Sequence, residues 1–91
     1  MSHPIATIEK NVSVGIYDDA AYIARIYADK IIVVLPYIKW TGNSGVLAMR
    51  KESIRDPDVI AAVRAELDDD CETSAWNLIG RDLEDEYLRH R

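Results

Sequence analysis

Asp18-Asp19-Ala20-Ala21-Tyr22-Ile23-Ala24-Arg25-Ile26-Tyr27-Ala28-Asp29-Lys30 is the stretch on which the fold turns. As a helix capped by Asp18 or Asp19, it would carry an apolar stripe of Ala20, Ile23, Ala24, Tyr27 and Ile31. As a strand it would run from Ala21 to Tyr27, with Asp18-Asp19 and Asp29-Lys30 as turns. The segment is ambiguous between the two, and two arguments favour the strand. Tyr-Ile-Ala-Arg-Ile-Tyr is rich in β-branched and aromatic residues, which suit a pleated surface. No glycine or other helix stop separates Lys30 from the next apolar run.

That next run, Ile31 to Lys39, is apolar on both faces through Leu35, as expected for a central strand covered from both sides. Pro36 cannot donate to a ladder and should mark a bulge or the end of pairing. Upstream, Ile5 to Glu9 and Val12 to Tyr17 read as strands around a Lys10-Asn11 turn, after a loose flexible end at Met1 to Pro4. Downstream, Thr41-Gly42-Asn43-Ser44-Gly45 has the turn chemistry of a loop, and Val46 to Arg50 reads as a further short strand.

Two helices follow. Asp56 as cap, Pro57 at the first helical position and Asp58 in the first turn start the first, whose stripe is Val59, Ile60, Val63 and Leu67. Thr73 or Ser74 should cap the second, with Trp76, Ile79, Leu83 and Tyr87 as its stripe. Gly80 inside that helix implies a close helix–helix or helix–sheet contact. The expected fold is therefore one small α+β domain over residues 1–91. An antiparallel β-meander of four to five strands (about 5–50) precedes two amphipathic helices (about 56–69 and 74–89) on one sheet face. Two short helices cover one face only, so a second copy of the chain or another protein should cover the other, and a homodimer is expected.

Charge is split along the chain. Twelve of the sixteen acids lie in Glu52 to Arg91 with only five arginines, a formal −7, whereas Met1 to Lys51 carries four acids and six bases, +2. Net charge −5 disfavours direct nucleic-acid binding, although Tyr17, Tyr22, Tyr27, Tyr37 and Trp40 interleave with bases in the sheet region. Those aromatics are candidates for a dimer or ligand surface. Asp68, Asp69, Asp70, Glu72, Asp82, Glu84, Asp85 and Glu86 are candidates for a partner-binding acidic face.

Catalytic and metal signatures are missing at the level of motifs. An EF-hand loop begun at Asp68 would need glycine and glutamate where Thr73 and Ile79 stand. Histidine occurs only as His3 and His90, close to the ends, which gives no zinc site or triad. Val46 replaces the lysine of a P-loop after Thr-Gly-Asn-Ser-Gly. Cys71, the single cysteine, sits among carboxylates rather than the cations that activate a nucleophilic thiol. No enzyme activity, metal or cofactor is expected.

A lone cysteine and a longest apolar run of eight residues, Ile31 to Ile38, suit a cytoplasmic protein without a membrane helix. The expected function is a non-enzymatic protein-binding module that engages a basic protein surface through its acidic C-terminal helices. By physical analogy it could be an inhibitor or a phage-type antagonist of nucleic-acid-handling machinery. The alternative is a small-ligand or regulatory domain with an aromatic pocket at a subunit interface.

Overall fold

A computed structural model describes residues 3–89, with side chains as far as Leu83. Four strands, β1 (Ala6–Val14), β2 (Tyr17–Ile26), β3 (Ile31–Thr41) and β4 (Ser44–Ile54), form an antiparallel sheet in the order β1-β2-β3-β4. Two helices, α1 (Pro57–Asp68) and α2 (Glu72–Arg89), follow. The fold is the expected α+β meander with two helices, and Asp18 to Lys30 is strand followed by turn.

Three boundaries differ from the expectation. Lys10 and Asn11 are not a turn but lie mid-strand, paired with Tyr22 and Ala21. The chain reverses instead at Gly15-Ile16, where Gly15 has φ +61°. A positive φ at the first of two central residues belongs to a hairpin turn whose twist matches its strands. The same device serves at Gly42 (φ +63°), so the expected Thr41–Gly45 loop contracts to two residues and β4 lengthens in both directions. Asp18 and Asp19 accordingly lie within β2, not in a turn.

Pro36 ends pairing on one side only. β3 pairs with β4 from Ile31 to Thr41, including Pro36 opposite Met49, whereas its pairing with β2 stops at Ile23–Val34. Strand alternation explains the asymmetry. The β2–β3 turn is closed by the Tyr27 N–H donating to the Lys30 carbonyl at 2.8 Å, so even-numbered residues of β3 direct their backbone groups towards β2. Pro36 is the next even residue after Val34 and has no N–H to give. Beyond it the hairpins separate, and the β1–β2 tip curls across β3. There Tyr17 donates its hydroxyl to the Gly45 carbonyl at 3.5 Å, and Gly15 lies against Ile38.

The core lies between the sheet and the helices. Register stacks Ala6, Ile26, Ile31 and Ile54 in one row, and Ile8, Ala24 and Val33 in the next. These rows pack against Ile60, Val63, Ala75, Trp76 and Ile79. Each fully buried isoleucine contributes roughly 1.5–3 kcal/mol of transfer free energy.

α1 starts as its sequence dictates: the Asp56 carboxylate accepts the Asp58 N–H at 2.9 Å, and Pro57 opens the helix. It ends in a tight reversal in which the Asp70 N–H donates to the Leu67 carbonyl (3.1 Å) and the Cys71 N–H to the Glu66 carbonyl (2.8 Å). Asp70 takes the left-handed position that this motif reserves for glycine, with φ 57°. Asp70→Gly should therefore stabilise the protein by about 0.5–1 kcal/mol, read as a raised midpoint in urea with an unchanged slope. α2 begins at Glu72, one to two residues before the expected Thr73 or Ser74 cap, because the Ala75 N–H already donates to the Cys71 carbonyl (3.1 Å).

Candidate functional site: the open sheet face

Alternation along each strand sends one set of residues to the helices and the other to a face that no helix covers, with the β1–β2 tip lying over it at Ile38 and Gly45. On that open face the register lines up Glu9, Ile23, Val34 and Lys51 across all four strands. Thr7, Arg25, Ile32 and Ser53 form the adjacent row. Ile38, Leu47, Met49 and Trp40 extend the apolar surface towards the β3–β4 tip. Ile23, Ile32, Val34, Ile38 and Leu47 are half-buried, while Met49 and Trp40 are 55% and 70% exposed. This apolar surface, bordered by Glu9, Arg25 and Lys51, is the candidate site.

The five candidate aromatics do not share that surface. Trp40 belongs to it, and Tyr17 reaches its edge at the hairpin tip. Tyr22 faces the helices, its ring 6.2 Å from that of Trp76. Tyr37, three residues before Trp40, has the opposite strand parity and lies on the helix side. Tyr27 stands at the β2–β3 corner under the Lys30 ammonium, which is 5.4 Å from the ring centroid. Aromatic residues that look clustered in sequence are separated by the two-residue period of the strand.

The acidic candidates are also divided. Asp68, Asp69, Asp70 and Glu72 are exposed around the α1–α2 reversal, where the run of acids is explained by the turn itself. Asp82 is about 15 Å further along α2. There it lines a shallow hollow of about 220 Å³ with Asp58, Val59 and Arg81, at the other end of the helical pair. Among the described side chains the acids do not converge on one face, and those of Glu84, Asp85 and Glu86 lie outside the described residues, as does that of Tyr87. His90 lies outside them entirely.

The remaining groups are quickly placed. Arg50 and Glu52 form an ion pair at 2.9 Å on the helix side of β4, both partly solvated and so worth at most about 1 kcal/mol. Cys71 is exposed and free, its thiol 3.5 Å from the Asp69 carbonyl. Among the described residues no three His, Cys, Asp or Glu side chains group to hold a metal ion, and no helix is long and apolar enough to cross a membrane. The close contact expected of Gly80 is not there: it is exposed, and a Cβ added to it would meet nothing within 4 Å. Its cost of about 1 kcal/mol relative to alanine is not offset by packing.

No protein-family model, curated protein or solved structure matches the chain. The open face is the feature on which a functional reading rests.

Proposed function

We propose that the protein is a non-enzymatic interaction module that pairs with a second copy of itself through the open sheet face. The observation that carries this reading is the row Glu9–Ile23–Val34–Lys51, with an acid at one edge, aliphatics in the middle and a base at the other edge. A two-fold axis parallel to the strands lays β1 of one copy over β4 of the other, so that each Glu9 meets the Lys51 of its partner. Ile23 and Val34 then lie between the sheets. Adjacent strands are about 4.8 Å apart, which puts each edge about 7 Å from the axis. The usual sheet crossing of about 30° displaces the edges by only about one residue, within reach of Glu and Lys side chains.

Such a surface, about 19 Å across and roughly 20 Å along the strands, gives roughly 400 Å² per copy, below the roughly 600 Å² per copy of stable interfaces and in the range of weak, transient ones. A dissociation constant on the order of 100 μM is expected. Both helical layers would face outward, which makes the assembled pair acidic on its two outer sides. A protein with a basic surface is then the heterotypic partner that this exterior suits, and its binding should weaken steeply with salt.

The charge row gives the test. Glu9→Lys should weaken self-association measured by sedimentation equilibrium at least fivefold, because two like-charge contacts replace two attractive ones. Adding Lys51→Glu to that variant should restore it. A monomer at hundreds of micromolar refutes the pairing, and a dimer indifferent to both changes places the contact on another surface.

A further inference from the structure

A second site lies on the opposite side of the sheet and is independent of pairing. Between α2 and the parts of β1–β3 that the helices leave uncovered is a cavity of about 610 Å³, within the size range of small-molecule sites. Its floor is aliphatic, with Leu35 and Leu83 at the surface above the fully buried Val33 and Ile79. Lys10 from β1 and Arg81 from α2 stand on its rim, and neither has an ion-pair partner among the described residues.

Two otherwise unexplained features meet there. Trp76 lines the wall, and its Nε1, shielded from solvent, has no hydrogen-bond partner among the described residues. Gly80, disfavoured in a helix interior and unsupported by any close contact, also lines the cavity, where a side chain would narrow the opening.

We propose that this cavity binds a small amphiphilic monocarboxylate, a medium-chain aliphatic acid. The chain lies along the aliphatic floor and against the Trp76 ring, and the carboxylate is held by Lys10 and Arg81. A carboxylate suits this pair because both are cationic donors. A nucleotide suits it less well. Trp76 is only 9% exposed and leans on Tyr22 at 46°, so no aromatic face is offered for a base to stack on.

The test is titration of the folded protein with octanoate, followed through the two indole N–H resonances, which Trp40→Phe assigns. The expected result is a saturable shift of the Trp76 signal, with that of Trp40 unmoved. The double variant Lys10→Gln/Arg81→Gln should bind about tenfold more weakly, since two partly exposed charge contacts are each worth a factor of a few. Gly80→Leu, at an exposed helical position that accepts the larger side chain, should abolish binding without lowering the melting temperature. The proposal is overturned if octanoate produces no saturable shift, or if 1-octanol binds as well and the double variant is unaffected. Unchanged affinity in Gly80→Leu overturns it equally, by moving the ligand elsewhere.

Discussion

Val33→Asp should leave the chain unfolded. Val33 is fully buried beneath the helices, in register with Ala24 and Glu52, and lines the same core as Trp76 and Ile79. A carboxylate there loses its water, faces Glu52 across the register, and finds the cations of that side of the sheet, Lys10, Arg50 and Arg81, only at the exposed rim. Burying an unpaired charge and losing the valine together cost several kcal/mol. A domain of this length has about 5–14 kcal/mol of stability in all, and its core is thin. The far-ultraviolet circular dichroism spectrum should lack a cooperative melt. A melt within a few degrees of the parent would show that the helices do not seal this face.

Val34→Asp, one residue further on, should do something different. Val34 points to the open face, between Ile23 and Lys51. In the single chain its carboxylate meets water and lies beside the Lys51 ammonium, so the fold survives with a loss of about 1 kcal/mol from strand propensity and partial exposure. In the pair it places two carboxylates close to the two-fold axis in a dehydrated contact. Self-association should fall by at least a hundredfold, read as a single monomeric species in sedimentation with a retained cooperative melt. Undiminished pairing would remove this face from the interface. The two substitutions make the same chemical change on consecutive residues, and their different outcomes test the sidedness of the sheet directly.

Much of this sidedness is legible in the sequence. Val12 and Val14 alternate with polar neighbours, Ile31 to Leu35 are apolar on both faces, and Asp56-Pro57-Asp58 announces α1 to the residue. Ile16, read as continuing the alternation, falls instead in the hairpin turn and is exposed. What sequence reading misses are the reversals. Lys10-Asn11 looks like turn chemistry, but the conformational demand falls on Gly15, which is free to take the positive φ that a two-residue hairpin turn needs. A glycine between alternating segments is the signal that could have placed it. The acid run likewise contains a reversal that its composition does not announce. Asp68 to Glu72 suggests a binding patch, and the structure shows a helix stop in which Asp70 occupies a position normally given to glycine.

The candidate site was harder to read than the fold because strand parity acts across the register, and register depends on where each hairpin turns. Moving the first turn from Lys10-Asn11 to Gly15-Ile16 brings Glu9 opposite Ile23 and so creates the charged row. The cavity beside Gly80 was illegible for another reason. It lies where α2 crosses the sheet beside Lys10, Tyr22 and Leu35, and the placement of a helix across a sheet is not written in its own periodicity.

Pro36 also bears on the order in which the molecule assembles. The two hairpins are held by eight and eleven residue pairs between neighbours in sequence, whereas the seam between β2 and β3 has four. Hairpins of this local kind close in about 1–10 μs, and local contacts favour fast folding. The short seam, shut at one end by the Tyr27–Lys30 turn and at the other by a residue with nothing to donate, has the fewest backbone bonds to reward its closure. The docking of the two hairpins under the helical pair is then the expected slow step, and a single missing hydrogen sets where that docking stops.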